Sequence, residues 1–244
     1  MRIETFLSAV EAEDGKFANT TAVVIDVIRA TSTIVAAFAA GVRTVYPTLS
    51  SEEAIRLANS LGRDNTLLCG ERQGLMIEGF DLGNSPAEFT PDRVSDSSLV
   101  MTTTNGMRAF VAAEAADRVI VAALMNLSAV AAAVSEFEQV VFVCAGKEGR
   151  FSLDDAVCAG LILTKLLGPD GPATTDIQLD DASQSALALA AAYTVDEEFL
   201  RWTAAGMALV EVGLDSDLKQ CAQIDRHRLV PEMHDRMISL PEDG

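Results

Sequence analysis

The chain is short of positive charge, of aromatic residues and of histidine. It has 18 Lys+Arg against 36 Asp+Glu over 244 residues, a formal net charge of -18, two histidines, one tryptophan and two tyrosines. An acidic surface of that size repels phosphate polymers and anionic lipid, which argues against any nucleic-acid or membrane partner. Long apolar runs are also missing: each is broken by Asp, Arg or Gly well before the roughly 18 residues that a membrane span needs. The segment Met1 to Leu7 is amphipathic and acidic, lacks the basic-then-apolar pattern of a secretory leader, and reads as a first strand. No Cys-x-x-Cys pair occurs among Cys69, Cys144, Cys158 and Cys221, which removes zinc-ribbon and dithiol redox readings. Cys69 and Cys144 end apolar runs and Cys158 sits among small helix residues, so buried free thiols in a reducing cytoplasm are expected. No Gly-x-Ser-x-Gly elbow is present, and His227 and His234 stand apart without metal-ligand spacing, as surface residues do.

What is present is a globular composition, 49% hydrophobic and 22% charged, enough to build a core without staples. Short β-branched runs alternate with Ala-rich helical stretches through the first two thirds. Strands are predicted at 2–6, 21–27, 44–46, 66–69, 99–103, 118–122 and 140–144, and helices at 31–40, 51–61, 106–115, 127–137 and 153–167. Several strands are apolar throughout, as strands covered on both faces must be. The pattern predicts an α/β fold, a layered α/β/α arrangement with a largely parallel sheet and a helix-rich C-terminal third. Beyond Asp176 only helices are expected, at 180–193, 196–207 and, more weakly, 216–223. Residues 1–244 read as a single compact catalytic unit. A subdivision into two α/β lobes meeting near 85–98 is considered, as is a helical portion after about 172. The stretch 168–172 reads as a loop and the tail from Pro241 as frayed.

Ligands of an open parallel sheet gather beyond the carboxyl ends of its strands, and four such loops hold unusual residues. In the first, Asp26 ends a strand, a position suited to a metal ligand or nucleophile, and Arg29, Thr31 and Ser32 could hold an anion at a helix N-terminus. The second, 69–86, is rich in glycine and charge, with Arg72 as a cation and Glu71 and Asp81 as candidate ligands of a hard cation. Its end, Ser85 to Glu88, has the spacing of a helix-capping box. The third carries Thr103, Thr104, Asn105 and Arg108 before a helix, a plausible phosphate cradle. The fourth holds Lys147, Arg150 and Asp154; Asp155, three residues after Ser152, is accounted for by helix capping alone. Together the loops gather five of the 18 basic residues beside four carboxylates. Such a set suits a small anionic substrate bound next to a divalent metal. A non-catalytic protein that binds a small anion is the competing reading, since the cationic loops alone would serve it.

Four long strings resemble those of the 2-phosphosulfolactate phosphatases. They are Val24 to Ile34 with Asp26 and Arg29, Gly70 to Pro86 with Glu71, Arg72, Asp81 and Asn84, Thr102 to Arg108, and Gly149 to Gly160 with Asp154 and Asp155. Beyond Asp176 only Asp217 and the 225–231 stretch fit. The resemblance implies magnesium (Mg2+) as cofactor, hydrolysis of 2-phospho-3-sulfolactate to 3-sulfolactate and phosphate, and a place in coenzyme M biosynthesis. Asp26, Arg29 and Asp154 are then the catalytic candidates, Thr31, Ser32, Arg72, Thr103, Thr104, Asn105, Arg108, Lys147 and Arg150 the substrate-binding ones, and Asp26, Glu71 and Asp81 the metal ligands. Position 28 is Ile, where the haloacid-dehalogenase phosphatases carry a second Asp two residues after their nucleophile, so a metal-activated water is preferred to an aspartyl-phosphate. A homodimer is the default for a cytoplasmic enzyme of this size.

Overall fold

The computed structural model describes residues 1–13, 15, 17–169 and 176–241. Residues 170–172 of the expected loop and the tail beyond Pro241 lie outside the described residues. The chain opens with β1 (Arg2–Phe6), α1 (Ala9–Ala12), β2 (Thr21–Ile25), α2 (Ala30–Ala39), β3 (Thr44–Thr48) and α3 (Ser51–Leu61). There follow β4 (Thr66–Arg72), β5 (Leu75–Met76), α4 (Pro91–Val94), β6 (Ser98–Thr102), α5 (Gly106–Ala112) and β7 (Arg118–Ala122). Next come α6 (Leu127–Val134), β8 (Gln139–Cys144), α7 (Leu153–Leu167) and β9 (Gln178–Leu179). The last elements are α8 (Asp181–Ala192), α9 (Glu197–Trp202), α10 (Ala204–Glu211), α11 (Ser216–Cys221), β10 (Glu232–His234) and β11 (Met237–Ser239).

The strands form one 11-stranded sheet in the order β5-β4-β6-β3-β11-β10-β7-β2-β8-β1-β9. Two blocks are parallel, β4-β6-β3 and β7-β2-β8-β1-β9. Strands β10 and β11 sit between them as an antiparallel hairpin, β10 against β7 and β11 against β3. The strand period of two sorts neighbouring side chains to opposite faces. Val24, Val121 and Val143 pack with Ile34, Phe38 and Phe110 of α2 and α5. Val23, Ile25, Ile120 and Phe142 pack with Val130, Ile162, Leu163, Leu200 and Leu218 of α6, α7, α9 and α11. Helix α3 covers Leu68 and Val100 in a third cluster through Ala54 and Ala58. The layered α/β/α expectation is met, and β2 is buried along its whole length because helices lie on both of its faces.

Three expectations are corrected. Strands do follow Asp176: β9 extends one sheet edge, and the hairpin 232–239 fills the middle of the sheet. The helix expected over 196–207 is two helices, because Thr203 leaves the helical conformation and its Oγ1 accepts from the Gly206 N–H at 3.1 Å to start α10. Ser85 to Glu88 is not a capping box. It forms a single 3-10 turn without a side-chain cap; Ser85 Oγ instead donates to Asp217 Oδ1 at 2.6 Å, and Glu88 Oε2 accepts from the Gly83 N–H. The four cysteines are buried free thiols, and burial pushes each of them upward, Cys221 to about 12, so none is a thiolate nucleophile.

Candidate active site

Ile25 lies in register with Ala122 and Cys144, so β2, β7 and β8 end level with one another and their loops open on one side. The segment after β6 reaches the same place. Gly106 starts α5 directly against Asp26: a Cβ there would stand 2.6 Å from Asp26 Oδ2 and 2.5 Å from Ala30 Cβ, so only glycine fits. At the end of β4, Gly70 has φ +147 and lies against the Thr102 carbonyl oxygen, 2.0 Å from where a Cβ would sit, which brings Glu71 beside the β6 loop. A pocket of about 390 Å³ opens between these loops, small but within the range of ligand sites.

Carboxylates gather at its floor. Asp26 is 5% exposed, Asp154 and Asp155 2% each, and Glu71 7%. Their oxygens differ in what they already hold. Asp155 accepts from the N–H groups of Val27 (2.8 Å) and Gly146 (3.0 Å), tying the β2 and β8 loops together. Capping therefore does not account for it, a correction whose cause is burial between two strand ends. Glu71 accepts from the Thr104 N–H (2.7 Å) and hydroxyl (3.1 Å) and from the Gly74 N–H (2.8 Å), so it clamps two loops and has little left for a cation. Asp154 Oδ1 accepts from Ser152 Oγ at 2.5 Å, while Oδ2 is buried with no partner. Asp26 Oδ1 accepts from the Ala30 N–H at 3.3 Å, and Oδ2 takes no hydrogen bond among the described residues.

Burial first, then the neighbouring Asp154 and Glu71 carboxylates, push Asp26 up to about 7, against the pull of the Ala30 N–H and Arg29. Burial likewise raises Asp154 and Asp155. Two free carboxylate oxygens in a dry, repulsive setting are what a cation relieves. Among the described residues no three His, Cys, Asp or Glu side chains form a ready metal cluster.

The cations expected at the site divide. Arg29 and Lys147 line the pocket. Arg29 is buried and fixed, Nη1 donating to Asp217 Oδ2 at 2.7 Å and Nη2 to the Gly74 carbonyl at 2.6 Å. Arg72 does not line the pocket; it donates to Thr102 Oγ1 and to the Glu71 carbonyl, which joins β4 to β6. Arg108 and Arg150 are exposed and do not line it.

The hydroxyls divide as well. Thr31 Oγ1 accepts from the Asp26 N–H and donates to the Asp26 carbonyl, and Ser32 Oγ donates to the Val27 carbonyl. Both are fully buried and brace the loop, so the anion contact expected of them is corrected. Thr104 and Asn105 line the pocket; Thr103 is buried beside it with an unpartnered hydroxyl. Asp81 faces outward, bonded to Arg63 and to the Leu68 N–H, so it cannot join Asp26 in one metal site.

Several residues at the site have no role assigned from the sequence, although Asn84 and Asp217 stand among the residues that carry the resemblance. Asp217, buried on α11, anchors Arg29. Asn84 is 4% exposed and lines the pocket, though it stood in a loop otherwise read for its charges. A further wall is α10 with the residue that follows it, through Ala205, Ala208, Leu209 and Val212, together with Leu75. Nothing in its apolar period distinguishes that helix from a core helix. His234 is exposed and His227 half-buried, and neither lines the pocket.

A family model described as 2-phosphosulpholactate phosphatase matches residues 7–236. A relative from Caldanaerobacter subterraneus subsp. tengcongensis, named "Probable 2-phosphosulfolactate phosphatase", is 37% identical over 245 residues and covers 100% of both chains. Two relatives of the same name are 41% identical: one from Symbiobacterium thermophilum over 93% of this chain and 97% of its own, and one from Deinococcus radiodurans over 87% of each.

Proposed function

Because the chain belongs to the 2-phosphosulfolactate phosphatase family, we propose that it is a magnesium-dependent phosphoric monoester hydrolase acting on the phosphate ester of a small 2-hydroxy acid. The first substrate to test is 2-phospho-3-sulfolactate, with 3-sulfolactate and phosphate as products. What carries the reading is the pair Asp26 and Asp154. Their free oxygens, Asp26 Oδ2 and the buried, unpartnered Asp154 Oδ2, would hold the ion, whose part is to neutralise charge on the phosphoryl oxygens.

The chain's own groups do the rest. Lys147 and Arg29 set positive charge against the phosphoryl and carboxylate oxygens. Asp155 and Glu71 keep the loops in register while the substrate changes charge, and the apolar face of α10 limits the water that reaches the reacting centre. A water oxygen bonds to phosphorus as the ester P–O bond breaks; the electron pair leaves with the alcohol oxygen, which takes up, in net terms, the proton that the attacking water gives up. Uncatalysed monoester hydrolysis needs acceleration approaching roughly 10²¹-fold, which is why charge neutralisation and positioning dominate such a site.

Phosphate release from 2-phospho-3-sulfolactate, phospholactate and phosphoglycerate, measured with magnesium and then with EDTA, tests the proposal. Turnover with the metal and its loss on chelation are expected; no release from any ester in magnesium overturns it. Hydrolysis of an ester with an isotopically chiral phosphoryl group should invert the configuration at phosphorus, as a single in-line attack by water requires, and net retention would mean that Asp26 itself attacks phosphorus first.

A further inference from the structure

Among the described residues the side chain of Asn84 makes no hydrogen bond. Its backbone carbonyl accepts from Thr33 Oγ1 at 2.9 Å, but the side chain, in a residue only 4% exposed, presents an Oδ1 that is buried without a partner on the pocket wall. A buried carboxamide with nothing to bind lowers stability, and an apolar residue of similar size would serve the fold better. The group makes physical sense once a ligand meets it.

Its neighbours indicate which ligand. The residue after it, Ser85, donates to one oxygen of Asp217, and Arg29 donates to the other, so a single buried carboxylate fixes Asn84 and Arg29 relative to each other. Two of the five guanidinium N–H donors are taken up by Asp217 and Gly74, leaving others for the pocket. A half-turn of the Asn84 amide about χ2 exchanges Oδ1 and the NH₂ group without moving the backbone, so the carboxamide can offer a ligand a donor or an acceptor. Two donor-bearing side chains that line one pocket suit a planar carboxylate, which can accept from both.

We infer that Asn84 and Arg29 form the subsite for the carboxylate of the hydroxy-acid ester, and that Asn84 sets the preference for esters bearing a carboxylate next to the phosphorylated carbon. The inference rests on the phosphatase reading above. The test compares 2-phospholactate with isopropyl phosphate, in which a methyl group replaces the carboxylate. In Asn84→Ala, KM for phospholactate should rise about tenfold or more, as loss of a hydrogen bond to a charged group does. KM for isopropyl phosphate should stay unchanged, and the melting temperature should not fall. Asn84→Asp, which keeps the shape and adds a like charge, should raise KM for phospholactate further. Equal effects on the two esters, or a fall in melting temperature with KM unmoved, overturn the subsite. Calorimetric binding of lactate to wild type and Asn84→Ala supplies an arm independent of turnover. If wild type hydrolyses neither ester, the phosphatase reading fails by itself, and a tenfold weaker lactate affinity in the variant still supports the subsite while equal affinity overturns it.

Discussion

Asp26 places a titrating group at the end of a fully buried strand, and its effect on stability has a definite sign. Below about pH 4, the ordinary carboxylate range, it is protonated in both the folded and unfolded chain. As pH rises from there toward 7, the unfolded chain releases a proton that the folded chain retains, because burial and Asp154 hold the folded value up at about 7. Stability contributed by the protonated form is therefore lost across that window and is absent above it. Asp26→Asn keeps an acceptor for the Ala30 N–H and removes the titration. Metal-free melts in EDTA should find the variant more stable than wild type at pH 8 by at least about 2–4 °C, the shift that about 1 kcal/mol gives in a chain of this length, with the two converging near pH 4. A variant no more stable at pH 8 would mean that ionised Asp26 carries no penalty in the free protein. The same variant should be inactive, so the residue trades stability for function.

At the scale of elements, the start of α5 is the tightest joint of the site. Gly106→Ala puts a methyl group 2.6 Å from Asp26 Oδ2 and 2.5 Å from Ala30 Cβ, and neither can yield without moving the β2 loop. A displacement of about 1 Å at such a centre lowers kcat by about 10²-fold. Steady-state kinetics of Gly106→Ala with circular dichroism as a fold control check this, and wild-type kcat would show that the loop yields freely. The elements themselves were readable where one physical signal dominated. The apolar run Val23-Val24-Ile25 needs cover on both faces, and a hydrophilic turn follows it, so β2 and its carboxylate could be located from the residues. Asp155 could not, because three residues after a serine a capping role and a cross-strand tether look alike. Thr31 and Ser32 failed for the related reason that a hydroxyl at a helix start serves an anion or its own backbone equally well. Glu232 to Ser239 is short and mostly polar, and only its neighbours β7 and β3 make strands of it.

For the whole molecule, that hairpin is the joint between the two parallel blocks. Arg118 of β7 reaches Glu232 of β10 with a fork, Nη2 to Oε1 at 2.5 Å and Nε to Oε2 at 3.0 Å, while Glu232 is 5% exposed. Arg118→Ala leaves that carboxylate nearly dry, with the His234 imidazole, Nε2 at 3.5 Å from Oε2, as its remaining neighbour among the ion pairs of the described residues. With the arginine itself partly solvated, the loss should be roughly 1–3 kcal/mol rather than the larger figure of a fully buried pair. Urea titration of Arg118→Ala measures it, and an unchanged midpoint would show that Glu232 is solvated in practice. The position of the hairpin also imposes an order on biosynthesis. Strands β3 and β7 leave the ribosome long before residues 232–239, yet each has one edge that, among the described residues, those alone pair with. A nascent or prematurely ended chain therefore carries two unpaired strand edges at the middle of its own sheet, the kind of surface that recruits other chains and chaperones.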